Sequence, residues 1–152
     1  MSKKIGGINL EEQFMNKILK YLAGSNKSIE QVKKKLAEYD CPRQIAEKII
    51  ASLIEYNYVD DEVFAKNFVY DSLTLKHYGK IKIKFDLEQK KISSDIISSV
   101  LADISKDDEI ESALIFAKRK PFDENKLKNM LYRHGFSFDI ISEVINKIKE
   151  CD

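Results

Sequence analysis

The 152 residues of this chain suffice for one ordinary domain or several small units. With 43% hydrophobic and 34% charged residues, they can bury a core and keep a solvated exterior. Five glycines and two prolines are too few for the many turns of an all-β protein. A net charge of +1, from 26 basic and 25 acidic residues, gives no global electrostatic case for nucleic acid.

The chain opens with MSKKIGGINLEEQF, which is basic but lacks an apolar core and a cleavage site. A signal peptide is therefore not expected, and residues 1–9 read as an N-terminal tail. No later apolar run approaches the roughly 18 residues of a membrane span. Leu10, Phe14, Ile18 and Leu22 recur every four residues and predict a first helix, ended by Gly24-Ser25-Asn26. Ser28, with Gln31 three residues on, predicts a capping box that starts a second helix. Val32 and Leu36 form its buried stripe, and Asp40-Cys41-Pro42 breaks it. Pro42 suits the first turn of a third helix carrying Ile45, Ile49 and Leu53 and ending near Asn57.

This cassette then returns twice. Val32, Leu36, Cys41, Ile45, Ile49 and Leu53, shifted by 51 positions, become Ile83, Leu87, Ile92, Ile96, Val100 and Ile104. A further shift of 44 gives Leu127, Leu131, Phe136, Ile140, Val144 and Ile148, with the same internal spacings of 4, 5, 4, 4 and 4. Self-similarity at such a period marks a repeat architecture, in which each unit completes its core against its neighbours. The expected fold is all-α: three tandem three-helix repeats forming an elongated, curved protein. The expected units are residues 10–58, 59–105 and 106–152.

The second and third units open on Asp60-Asp61-Glu62-Val63 and Asp107-Asp108-Glu109-Ile110. Carboxylates there favour the positive end of a helix dipole, and capping accounts for them without a metal or acid–base site. Ile81-Lys82-Ile83-Lys84-Phe85-Asp86-Leu87 alternates like a half-buried strand. Its counterparts QVKKKLAEYD and KLKNMLYRHG have helical spacing, so a helix is expected here too. That helix would turn Ile83 and Leu87 to the core and put Ile81 and Phe85 near its opposite side. A neighbouring unit is expected to cover this pair, a partner being the alternative.

Catalytic chemistry finds no support. There is no Gly-rich phosphate loop, nucleophile elbow or zinc-ligand spacing. His77 and His134 lie 57 residues apart without a Cys or His at ligand spacing. Cys41 falls at a core position of the repeat, and two thiols at positions 41 and 151 make no disulfide framework. A reducing cytoplasm is the expected location, with no cofactor and no metal. Tyr56 and Tyr58 are expected to close the packing between units rather than to stack on bases.

Local charge is uneven. Lys76, Lys80, Lys82, Lys84, Lys90 and Lys91 face only Asp86 and Glu88 within residues 76–91. Lys118, Arg119, Lys120, Lys126, Lys128 and Arg133 face Asp123 and Glu124 within residues 118–133. Such runs are most often solvated helix faces.

Several stretches resemble the RecX family, the modulators of the RecA recombinase. Tyr56-Asn57-Tyr58-Val59-Asp60-Asp61-Glu62-Val63-Phe64-Ala65 looks like its signature of an aromatic, an acidic pair and then Phe-Ala. Tyr78-Gly79 with Ile83, Leu87 and Ile92 is similar to its second-unit pattern. Leu131-Tyr132-Arg133-His134-Gly135-Phe136 with Ile140 resembles its third-unit ending. Lys27-Ser28 and Val32-Lys33-Lys34-Lys35-Leu36 correspond to the start and core of its first unit. The likeness runs from about residue 10 to residue 150. Lys91 departs from the family's Gly, Val32 from its Leu, and Lys replaces Arg at most basic positions, without the bidentate fork of arginine.

The resemblance implies a non-enzymatic all-α protein, expected as a monomer, that lodges in the groove of the RecA–DNA filament. It further implies inhibition of strand exchange and ATP hydrolysis, in DNA recombination, repair and the SOS response. Charge clustering makes Lys80, Lys82, Lys84, Arg119, Lys126, Lys128 and Arg133 the candidates for contact with filament or with DNA phosphates. Reversing Lys80, Lys82 and Lys84 together is expected to weaken inhibition and leave stability nearly unchanged. The alternatives are an autonomous helical protein binding single- or double-stranded DNA, and an adaptor docking a peptide on the Ile81–Phe85 face.

Overall fold

The computed structural model describes residues 4, 5 and 8–150, and the statements below concern these. They form nine helices: α1 (Leu10–Leu22), α2 (Ile29–Glu38), α3 (Arg43–Glu55), α4 (Asp61–Thr74), α5 (Lys80–Gln89), α6 (Ser94–Ala102), α7 (Lys106–Lys118), α8 (Glu124–Arg133) and α9 (Phe138–Glu150). Within the expected N-terminal tail, β1 (Lys4–Ile5) pairs antiparallel with β2 (Ile8–Asn9), a strand pair the sequence did not announce. Cys151 lies outside the described residues. No described helix is long and apolar enough to cross a membrane. The chain divides into two compact units, residues 1–64 and 65–152.

Helix starts follow side-chain chemistry. Ser28 Oγ accepts the Gln31 N–H at 3.1 Å, and Gln31 Oε1 accepts the Ser28 N–H at 2.8 Å, the expected capping box. Ser105 and Asp108 form a second box at the start of α7, with bonds of 3.0 and 3.1 Å. Asp60 Oδ1 takes the Glu62 and Val63 N–H groups at the start of α4. Pro42 stands at the N-cap of α3, one residue ahead of the first turn where the sequence suggested it.

Two acids do more than cap their own helix. Asp61 Oδ1, opening α4, accepts the backbone N–H of Ile29, the first residue of α2, at 2.8 Å. Glu109 Oε2, in the first turn of α7, accepts the N–H of Lys80, the first residue of α5, at 3.1 Å. Ile29 and Lys80 are 51 positions apart, the cassette offset. In each case the acidic start of one helix satisfies a donor that the first turn of another leaves without an intrahelical partner.

The spacing of five inside each cassette has a backbone cause. Asp40, Lys91 and Gly135 have φ of 59°, 62° and 88°, so each second helix ends in one left-handed residue. The next N–H then reaches back over the last turn: Cys41 to Leu36 O at 3.0 Å, Ile92 to Leu87 O at 3.2 Å, Phe136 to Leu131 O at 3.2 Å. These are Schellman turns, which bring the residue after the left-handed one against the side chain five positions before it. Asn57 (φ 61°) ends α3 in the same way, with Tyr58 N–H on Leu53 O at 2.8 Å.

The apolar cassettes are the cores. Val32, Leu36, Ile49 and Leu53 join Phe14, Ile18 and Val59 in the first unit. In the second unit Ile83, Leu87, Ile92, Val100 and Ile104 are buried, and Leu127, Leu131, Phe136, Ile140 and Val144 join Ile110, Ala113 and Ala117. Cys41, Ile45, Ile96 and Ile148 are half-buried. Residues 81–87 are helical, as the repeat register required against their strand-like alternation. Tyr56 and Tyr58 are exposed rather than packed, because the left-handed Asn57 turns Val59 inward in their place.

Leu87→Ala is expected to cost about 2–5 kcal/mol in urea unfolding, as a fully buried large-to-small change. Lys91→Gly should stabilise by up to about 1 kcal/mol, since a left-handed residue with a side chain costs ~1–2 kcal/mol and the added chain entropy offsets part of that. Gly135→Ala should destabilise by more than that turn preference alone, because its Cβ would also stand 2.4 Å from Lys82 N and Cβ. Equal and small effects at both positions would contradict the turn assignment.

Candidate interaction site

The structure separates the seven basic candidates into held and free groups. Lys82 is half-buried, 3.5 Å from Asp86, with its ammonium 4.8 Å from the centre of the Tyr78 ring. It lies so close to Gly135 that a Cβ on that glycine would stand 2.4 Å from Lys82 N and Cβ. Lys80 is half-buried beside Glu109, whose carboxyl burial pushes above the usual range, partly opposed by the Lys80 N–H and charge. Arg119 caps α7 and directs Nη1 to His77 Nε2 at 3.4 Å. Lys128 pairs with Glu124 at 3.4 Å, and Arg133 Nε donates to Asn129 O. Lys84 and Lys126 are exposed and, among the described residues, form no ion pair.

This revises the triple reversal. Glu at position 80 would face a buried carboxyl, and Glu at position 82 would face Asp86 and lose the contact with Tyr78. Only Lys84 can be reversed without disturbing the framework.

Ile81 and Phe85, expected beneath a neighbouring unit, are 58% and 57% exposed. The α5 helix buries Ile83 and Leu87 and leaves the opposite stripe outward, beside Lys84.

A buried polar cluster escaped the sequence reading. His77 is 4% exposed, with φ of 58°. The Ser112 hydroxyl donates to the Leu73 carbonyl, so its oxygen accepts from His77 Nδ1–H at 3.0 Å. His77 Nε2 is then left to accept from Arg119, which assigns the neutral ring with the proton on Nδ1. His134 Nδ1–H donates to the His77 carbonyl at 2.9 Å and its ring centre is 4.2 Å from that of Phe116. Gly79 N–H bonds His134 O at 2.8 Å, and Ile81 N–H bonds Gly135 O at 3.1 Å. Together these fasten the start of α5 to the α8–α9 turn. The sequence signals were Tyr78-Gly79 and His134-Gly135, adjacent pairs 56 residues apart that meet only on folding.

Burial lowers the His77 pKa below 6.5, reinforced by the charge of Arg119 and by His134, with the Ser112 bond opposing. The unfolded chain binds the proton at its ordinary value and the folded chain resists it. Stability present above pH 6.5 is therefore lost as pH falls toward the depressed folded value. Glu109, raised above 4.5, acts with the opposite sign, its burial cost easing as pH falls. His77→Asn keeps a donor for Ser112, tolerates the left-handed backbone and does not titrate. Melting between pH 7.5 and 5.5 should fall less in this variant than in the parent chain; equal slopes would exclude His77 as the cause.

Comparison with known proteins bears on the same chain. Residues 60–101 match the model of the second three-helix domain of RecX. The chain is 34% identical to Regulatory protein RecX of Clostridioides difficile (strain 630) over 147 residues, covering 90% of this chain and 68% of that protein. It is 36% identical over 140 residues to Regulatory protein RecX of Clostridium botulinum (strain Eklund 17B / Type B), covering 85% and 65%. It thus spans about two thirds of the length of these relatives. The crystal structure of RecX from Lactobacillus salivarius has the same fold, with a TM-score of 0.82 at 24% identity over 91% of this chain and 96% of that one. With a relative this similar over most of its residues, the chain belongs to the RecX family of regulatory proteins.

Proposed function

We propose that this protein binds the RecA–DNA filament and restrains its recombinase and ATPase activity, acting by contact and without catalysis of its own. Membership of a family of regulatory proteins is the observation that carries this reading. A repeat fold suits it, since successive helical units present a surface that meets successive copies of a partner. We take residues 10–58, 59–105 and 106–152 as those units. The protein works without a cofactor or metal, in the cytoplasm and as a monomer.

Of the seven basic candidates, exposed Lys84, Lys126 and Arg133 suit a partner best, because long-range attraction acts through charges that solvent and partner can reach. Lys80, Lys82, Arg119 and Lys128 are engaged within the fold and contribute mainly to the local field.

Single-stranded-DNA-dependent ATP hydrolysis by the cognate RecA, titrated with this protein, tests the reading. Inhibition below one protein per RecA subunit is expected. With Lys126 and Arg133 both changed to Glu, more protein should be needed for half-inhibition, with stability held within about 1 kcal/mol as for surface changes. No inhibition by folded protein on intact filaments would remove the filament function. A shift of DNA mobility without RecA, weakening steeply with salt, would then put autonomous DNA binding in its place.

A further inference from the structure

Two clefts recur in register. Between α2 and α3, Lys33, Ala37, Cys41 and Ala46 line an open cleft of about 380 Å³. Between α5 and α6, Lys84, Glu88, Ile92 and Ile97 line one of about 520 Å³. Each residue of the second set lies 51 positions beyond its counterpart, the offset of the apolar cassette. A further 44 positions lead to Lys128, Tyr132, Phe136 and Ile141, on α8, α9 and the turn between them.

The floor has a structural origin. Cys41 and Ile92 are drawn inward by their Schellman turns, and in the third copy the same turn buries Phe136 completely. The rim does not follow from that geometry. A lysine stands one residue after the first cassette position in every copy, at 33, 84 and 128, and all three are exposed. Among the described residues, Lys33 and Lys84 form no ion pair, and Lys128 meets only Glu124, at 3.4 Å. In the third copy Tyr132 and Phe138 are 73% and 80% exposed, adding aromatic surface at the positions of Glu88 and Ser94.

We propose that the two clefts are equivalent docking positions for one recurring segment of a protein partner, seating an apolar side chain on the floor and a carboxylate on Lys33 or Lys84. A phosphate backbone fits less well: each cleft has an apolar floor residue, Cys41 or Ile92, and Glu47 and Glu88 offset part of the positive charge that Arg43 and Lys91 add to the lining. A carboxylate beside an apolar side chain matches both lysine and floor. Sites that recur within one chain suit a partner that recurs as well, a polymer of identical subunits. The inference rests on the filament reading above, and adds to it the surface and the chemistry of the segment bound. Several weak equivalent contacts on one chain bind far more tightly than any one of them.

The test is co-sedimentation with the cognate RecA filament assembled on poly(dT) with a slowly hydrolysed ATP analogue. The proteins compared are the parent, Lys33→Glu, Lys84→Glu, the double variant, and Ala37→Trp, which fills the first cleft. Lys34→Glu makes the same charge change one residue away from the cleft and is the control. Circular dichroism and melting establish that each is folded. Each single cleft variant should bind about three- to tenfold more weakly and the double by roughly the product, with Lys34→Glu within about twofold of the parent. If the parent binds and the cleft variants match Lys34→Glu, the docking proposal falls and the filament reading stands. If the parent does not bind at all, both fall. If the cleft variants lose affinity for poly(dT) alone in the same proportion, the lysines sit on phosphate and the proposal is overturned.

Discussion

In all three repeats the chain passes from the second helix to the third through one left-handed residue, Asp40, Lys91 or Gly135. The N–H that follows bonds back to Leu36, Leu87 or Leu131, and this draws Cys41, Ile92 or Phe136 toward the core. Much else depends on that turn. It sets the spacing of five within an otherwise four-residue pattern. It fixes which face of the third helix is buried, and in the first two repeats a cleft lies beside it. A single unfavourable φ at Asp40 or Lys91 is tolerated because the bonds and burial around it outweigh a cost of ~1–2 kcal/mol.

Gly135 serves a second constraint that the other two turns do not share. The first residues of α5 pass so close that a Cβ at Gly135 would meet Lys82, and one at Gly79 would lie 2.4 Å from Gly135 O. Two backbones in direct contact exchange hydrogen bonds, and His77, His134 and Ser112 satisfy the groups left over. Glu109 adds an acceptor for the Lys80 N–H, and does so from a buried position. This explains why one acid of a cluster that looks like ordinary helix capping is buried and its neighbours Asp107 and Asp108 are exposed.

The consequence for recognition is a division of labour among cations. Lys80, Lys82 and Arg119 belong to the joint between α5, α7 and the α8–α9 turn, where partners within the chain hold them. Lys33, Lys84 and Lys126 stand outside it and keep their charge for solvent or partner. Equal-looking lysines in a basic run therefore differ in what a substitution would report: a lost fold contact at 82, the change of an exposed charge alone at 84.

Periodicity determined the helices, their repetition and the identity of the core, because burial every three to four residues leaves a direct trace in side-chain type. The middle cassette overrode the alternation of residues 81–87 for the same reason: Ile83 and Leu87 had to face inward as their counterparts do. The family likeness was equally legible, carried by short motifs in order. What the sequence did not determine was pairing between distant segments. His77 with Ser112, Arg119 and His134, Glu109 with the Lys80 N–H, and Gly79 against Gly135 are contacts across 29 to 57 positions. The exposure of Ile81, Phe85 and Tyr56 was hidden likewise, since an apolar side chain shows that burial is favourable but not whether a neighbour is there to provide it. Composition and spacing report the demand of each residue for a partner, and only the folded chain supplies the distances that decide which partner it meets.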